Sequence, residues 1–200
     1  EDPYQRVAEG LRALGVVTGA IGIEETVKHV FSAGVGAAAS QVRIASGTPV
    51  TAGCRTVKDE HELALMRHAS LVTLKAYEAA YKSLKEGMTQ GDFAELVSQA
   101  HQQLGYTGGV QVGEFSALPH GSVTPQVVRE GSILLIDGGC KVEGYSSDIS
   151  RTFVLGKATD RMKQVFEIEH AAQSAALAAA KPGVLCEAVD AAARKVVVDG

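Results

Sequence analysis

Two hundred residues, with 46% hydrophobic and 21% charged side chains, suit one domain or one domain plus part of another, and can bury a sizeable core. The formal charge of −4, from 19 basic and 23 acidic side chains without a basic block, argues against nucleic acid as a partner. No apolar run reaches the roughly eighteen residues that a membrane-spanning helix requires, so the reading has no membrane partner.

Three scattered cysteines, Cys54, Cys140 and Cys186, do not make a disulfide framework. An odd count fits a reducing compartment, and a cytoplasmic location is expected. The opening Glu1-Asp2-Pro3-Tyr4 has no signal-peptide character and no initiator Met, so the chain reads as processed or excerpted.

In chain order, residues 3–14 predict a short amphipathic helix stopped at Gly15. Val16 to Ile23 predicts a strand, Glu24 to Phe31 a helix, and Gln41 to Ala45 another strand. Ser46 to Pro49 and Thr51 to Gly53 read as turns. This part resembles the end of a small α/β domain. Lys58 to Lys85 lacks Gly and Pro and predicts a long helix, with Asp59, Glu60 and Glu62 at its positive end. Leu65, Val72 and Ala76 mark its apolar face, with Ala69 and Ala79 for close contacts. Gly87 ends it. Thr89 and Asp92 signal a second helix from Gln90 to about Leu104. Tyr106 to Leu118 predicts extended chain, Pro119-His120-Gly121 a turn, and residues 123–131 a connector. A hairpin follows over 132–154, then helices over Lys157–Lys181 and Leu185–Val198, broken at Pro182-Gly183. The helix pair around Gly87 is thus echoed by the pair around Gly183. The first pair precedes a His-bearing turn and a carboxylate-bearing hairpin, so a second such unit is expected beyond Gly200.

The hairpin carries the chemistry. Asp137 and Asp148 lie at the inner ends of its two strand-like stretches, with glycine-rich sequence between. A turn centred on Val142-Glu143 makes them directly opposed, with Cβ atoms about 4.5–5.5 Å apart. Two like charges at that distance repel unless a proton or cation resolves them. A facing carboxylate pair can share a proton, act on a glycoside at roughly 5 Å separation, or hold hard divalent cations. The plain alternative is a pair of solvated turn aspartates. His120, between Pro119 and Gly121, is a candidate to donate a hydrogen bond to an oxyanion or to move a proton, with a surface histidine as the bland reading. Cys140 reads as a small hydrophobe near the hairpin tip. Arg151 is a candidate carboxylate partner, and Thr152 offers a hydroxyl. His29, His61, His68, His101 and His170 fall on predicted helices without metal-ligand spacing and read as surface or packing residues.

The run Leu135-Ile136-Asp137-Gly138-Gly139-Cys140 through Tyr145-Ser146-Ser147-Asp148-Ile149-Ser150-Arg151-Thr152-Phe153 resembles the signature of the pita-bread metallopeptidases, family M24. The family includes Xaa-Pro aminopeptidases, Xaa-Pro dipeptidases (prolidases) and methionine aminopeptidases, and the extra N-terminal domain favours the Xaa-Pro aminopeptidase and dipeptidase branch. Pro119-His120-Gly121 stands upstream where the family carries its substrate-side histidine. Lys58 to Glu62 resembles the opening of the family's first catalytic-domain helix, and Gly22-Ile23-Glu24 with Arg55 resembles the end of its N-terminal domain.

The resemblance implies an α+β pita-bread (creatinase/aminopeptidase) fold. Residues 1–55 would be the end of a creatinase-like N-terminal domain, and residues 56–200 the first, truncated part of the catalytic domain. It implies hydrolysis of Xaa-Pro peptide bonds by a hydroxide bound to two divalent metal ions (Mn, Co or Zn). Asp137 would be the bidentate ligand of one metal and Asp148 would bridge both. His120 would hydrogen-bond the substrate or the tetrahedral intermediate. The remaining ligands, a His and two Glu, are expected beyond residue 200. A proline-containing peptide is the implied substrate, and a homodimer the implied assembly. Alternatives within the fold are a creatinase-like or metal-dependent small-molecule hydrolase or lyase, and a catalytically silent binding module. Retention of both aspartates argues against the metal-free and silent members.

Overall fold

The computed structural model describes residues 2–113 and 126–200, which form two compact units, Glu1–Ala64 and Leu65–Gly200. The Pro119-His120-Gly121 turn lies outside the described residues.

The first unit holds α1 (Pro3–Ala13), β1 (Gly19–Ile23), α2 (His29–Ala38), β2 (Val42–Ser46), α3 (Thr48–Thr56) and the start of α4 (Glu60–Ser83). Asp2 caps α1 by accepting from the Tyr4 amide at 2.9 Å. Strands β1 and β2 pair in parallel, from Gly19 opposite Val42 to Ile23 opposite Ser46, and α2 is the connection between them. Ala8, Ala39 and Val42 form the small core, with Leu11, Val16 and Ile21 packed around it.

Two sequence expectations change here. Glu24 to Phe31 is not a continuous helix: the Val27 amide bonds the Glu24 carbonyl at 3.1 Å in a turn, and α2 starts only at His29. The turns expected at Ser46–Pro49 and Thr51–Gly53 are in large part helix, since Thr48–Thr56 forms α3. Pro49 lies in its first turn, where a missing N–H costs nothing, so the proline starts the helix rather than preventing it. Asp59 and Glu62 then cap α4 reciprocally. The Glu62 amide donates to Asp59 at 2.8 Å and the Asp59 amide donates to Glu62 at 2.7 Å.

The second unit begins within α4 and adds α5 (Gln90–Gln103), β3 (Gly108–Gly113), β4 (Ile133–Val142), β5 (Tyr145–Ser146), β6 (Ile149–Val154), α6 (Asp160–Ala179) and α7 (Cys186–Asp199). The sheet is antiparallel, with β4 between β3 on one side and β5 and β6 on the other. Alternation along β4 buries Leu134, Ile136, Cys140 and Val142 on one face. Helices α4 and α5 cover that face. Tyr77, Ala80, Phe93 and Val97 pack on Leu134 and Ile136, while Ala69 and Val72 pack on Cys140 and Val142. On α4 the close-contact alanine toward the helix end is Ala80 at 2% exposure, and the expected Ala79 is exposed. Cys140 is likewise not at the hairpin tip; it lies within β4, two residues before its end, buried against α4 with Sγ 3.5 Å from the Ala69 carbonyl.

Thr89 and Asp92 close a capping box on α5. The Asp92 amide donates to Thr89 Oγ1 at 3.1 Å and the Thr89 amide donates to Asp92 Oδ2 at 2.8 Å. These hydrogen bonds from Thr89 hold the Asp92 carboxyl below the usual aspartate range. Because the folded value is lowered, the stability it contributes is complete above about pH 3.9, the ordinary aspartate value, and is lost as pH falls through the folded one. Asp92→Ala is therefore expected to lose stability at neutral pH and to show a shallower acid decline than the parent. Urea midpoints measured from pH 7 down to pH 3 test this; parallel pH curves for the two proteins would contradict it.

The helix pairs around Gly87 and Gly183 share one device. Both glycines take positive φ, +90° and +85°, at the turn between their helices. The pairs differ in burial. On α6 the buried residue is Ala172, α7 has none, and Leu177, Leu185 and Val198 are exposed. No described helix is long and apolar enough to cross a membrane.

Candidate functional site

The hairpin turns at Glu143-Gly144, one residue later than expected. Glu143 at φ +48° and Gly144 at φ +87° make a two-residue turn with both central residues left-handed, the geometry that matches strand twist. Register follows from the turn. Asp137 pairs with Ser150, not with Asp148, and Gly138 pairs with Ile149. The direct opposition of the two aspartates is thereby corrected: counted through the ladder, Asp148 falls opposite Gly139, diagonal to Asp137.

Both aspartates nevertheless share a face. Ser147 is buried toward α4, where its Oγ lies 2.8 Å from Thr73 Oγ1, and Ile149 packs on the helix-covered core. Asp148, between them, is exposed on the opposite face. Asp137 lies on that same face, since its neighbours Ile136 and Leu134 are the buried ones. Diagonal neighbours stand about 7–8 Å apart, somewhat less at Cβ, within reach of a shared ligand but not of a shared proton.

The strand between β5 and β6 leaves its ladder at Ser147-Asp148. The Ser147 amide still donates to the Cys140 carbonyl at 3.0 Å. The return bond is different: the Cys140 amide donates to the Ser147 hydroxyl at 3.0 Å. The Ser147 carbonyl lies over Gly139, where a Cβ would meet that oxygen at 2.0 Å. Only glycine at 139 lets the chain cross onto the aspartate face here.

Asp137 is held from the neighbouring strand, since Ser150 Oγ donates to Asp137 Oδ1 at 2.5 Å. Arg151, considered as a carboxylate partner, instead directs Nη1 to the Ser150 carbonyl at 2.7 Å. Thr152 is exposed opposite Leu135, on the aspartate face. Behind the hairpin, Tyr77 donates its hydroxyl to the Ile149 carbonyl at 2.9 Å. Burial raises the Tyr77 phenol well above the ordinary tyrosine value, and the charges of Asp137 and Asp148 raise it further. An open groove of about 880 Å³ adjoins the site, lined in part by Tyr106, Gly109, Gly139, Lys141 and Ser146.

The donor set is of hard oxygens: two carboxylates flanked by the Ser150 and Thr152 hydroxyls. It suits divalent cations that take oxygen ligands. Among the described residues no group of three or more His, Cys, Asp or Glu gathers to hold an ion. The aspartates therefore fit part of a metal site that needs further ligands.

The hydroxyls of Ser147 and Ser150 are the site residues that sequence reasoning passed over. Their signal was period-two alternation around Asp148, which becomes readable once the turn is placed at Glu143-Gly144.

The profile of Metallopeptidase family M24 matches residues 64–200. The chain belongs to this family. It is 35% identical to a Xaa-Pro dipeptidase of Lactobacillus delbrueckii subsp. lactis over 154 residues, covering 72% of this chain and 41% of that protein. It is 28% identical to a Xaa-Pro dipeptidase of Pyrococcus horikoshii over 203 residues, covering 99% of this chain and 56% of that protein. Its fold superposes on the crystal structure of an X-Pro aminopeptidase from Thermotoga maritima with a TM-score of 0.88 at 27% identity, covering 100% of this chain and 58% of that one. The α+β architecture is thus the pita-bread fold, as the hairpin signature implied. The chain spans about half the length of the curated relatives it matches.

Proposed function

We propose that this M24 chain supplies the first part of a metal-dependent exopeptidase that hydrolyses Xaa-Pro peptide bonds. The observation that carries the reading is the common face of Asp137 and Asp148, opened by Gly139 and braced by Ser150. In this reading Asp137 and Asp148 hold two divalent cations (Mn, Co or Zn) together with a His and two Glu beyond Gly200. Bound there, the cations supply Lewis-acid polarisation of the scissile carbonyl and a lowered pKa for water. The chain's own contribution is to place both carboxylates on one face, with Ser150 holding the Asp137 carboxylate. His120 donates a hydrogen bond to the carbonyl oxygen as charge develops on it. Residues 1–55 are the end of an N-terminal domain, 56–200 open the catalytic domain, and the assembly is a homodimer.

The test uses the full-length protein. After chelation it is expected to lose cleavage of Xaa-Pro substrates, and to regain it with added Mn²⁺ or Co²⁺, while matched Xaa-Ala substrates are cleaved poorly. Chelator-resistant cleavage, or no preference for proline, would sink the proposal.

A further inference from the structure

The named strands are interrupted at Ser147-Asp148, and α4 contacts the chain on either side of Asp148. Thr73 and Tyr77 lie four residues apart on α4, hence on one helix face, and both are buried, at 0% and 5% exposure. Thr73 Oγ1 meets Ser147 Oγ at 2.8 Å, on the N-terminal side of Asp148. Tyr77 holds the Ile149 carbonyl at 2.9 Å, on its C-terminal side. Each neighbour of Asp148 is thus tied to the same helix.

The Thr73 hydroxyl is enclosed by polar partners. His101 Nδ1 lies 2.9 Å from the Val97 carbonyl, which can only accept, so Nδ1 carries the hydrogen. Its Nε2 lies 3.5 Å from Thr73 Oγ1. Thr73 Oγ1 also lies 2.8 Å from Ser147 Oγ and 3.5 Å from Cys140 Sγ. Ser147 in turn accepts the Cys140 amide at 3.0 Å. The linked groups run Cys140 amide, Ser147, Thr73, His101, Val97 carbonyl. The His101 ring is also fixed in place: a Cβ on Gly108 would meet it at 2.6 Å, and Tyr77 stands edge-on at 6.4 Å between centroids. A satisfied buried network of this kind specifies one arrangement.

We propose that Thr73 and Tyr77, with His101 orienting the Thr73 hydroxyl, are positioning residues that clamp the chain on both sides of Asp148 and set its carboxylate for cation binding. The inference rests on the metal role proposed for Asp148. It does not require that the reaction be peptide hydrolysis.

The experiment measures Mn²⁺ affinity of the full-length protein by isothermal titration and by the electron paramagnetic resonance spectrum of bound Mn²⁺. Thr73→Val and Tyr77→Phe remove single hydroxyls and keep the packing. Each is expected to weaken Mn²⁺ binding about 10-fold or more and to broaden the bound-ion spectrum, in the range typical of residues that orient metal ligands. Thr73→Ser, which restores the hydroxyl, is expected to bind as the parent does. A merely structural role would lower the unfolding midpoint and leave the Mn²⁺ affinity of the folded protein unchanged. Parental affinity in both Thr73→Val and Tyr77→Phe, with Asp148→Ala abolishing binding, overturns the clamp alone. Parental affinity in Asp148→Ala overturns the metal assignment beneath it.

Discussion

Asp148→Ala is expected to abolish Xaa-Pro hydrolysis in the full-length protein while leaving the fold intact. Loss of one preorganised electrostatic group costs about 10²–10³ in rate, and under the proposed function, in which Asp148 would be shared by two cations, its loss should cost no less. Stability should behave differently. The Asp148 side chain is exposed and makes no contribution to the helix-facing core. Its removal should shift metal-free stability by no more than about 0.5 kcal/mol. The sign should be slightly favourable, because a like charge beside Asp137 is removed. The measurement is paired: kcat/KM with saturating Mn²⁺, and the urea midpoint of the metal-free protein. Residual activity within 10-fold of the parent would remove Asp148 from the centre of the proposed site. A large loss of metal-free stability would mean that inactivity reflects unfolding rather than a missing ligand.

Gly139→Ala is expected to be the most damaging small substitution in the hairpin. The new Cβ would lie 2.0 Å from the Ser147 carbonyl oxygen and 2.6 Å from its carbon, both main-chain atoms that no rotamer change can move aside. Overpacking against movable side chains already costs about 1–3 kcal/mol, so a loss near or above about 3 kcal/mol is expected. Any surviving fold must lift Ser147-Asp148 off the aspartate face, so Mn²⁺ affinity should fall as well. Gly109, directly opposite Gly139 on β3, provides the control. A Cβ there meets nothing within 4 Å, and Gly109→Ala should change stability by no more than about 0.5 kcal/mol. Chemical denaturation of the two variants side by side decides the matter. Equal midpoints would show that the close approach at Gly139 has no energetic consequence.

The hairpin also shows how far its sequence could be read. A turn placed one residue early shifts the pairing by two residues, not one. Strand side chains alternate with period two, so the two-residue shift kept both aspartates on the expected face. It changed only who stands opposite whom, and brought Ser150 to Asp137. The long helices were legible for a similar reason. The uninterrupted run in α4 and the Thr89–Asp92 cap are local, and local rules suffice for them. At α3, Pro49 and Gly53 spoke for turns, yet proline at a helix start is as favourable as in a turn, and the local signal was ambiguous.

His101 and Cys140 mark the other limit. Neither residue carries a sign, along the chain, of being buried beside Thr73 and Ser147. The contacts with Thr73 join residues separated by 28 to 74 positions.

By itself, then, the sequence determined the long helices α4 and α5, the family signature and the common face of Asp137 and Asp148, because capping and pleat alternation act over a few residues. The turn at Glu143-Gly144 set the diagonal register. Tertiary structure decided the hold of α4 on both sides of Asp148, because Thr73 and Tyr77 meet Ser147 and Ile149 across 74 and 72 positions, and no short stretch of chain contains that information.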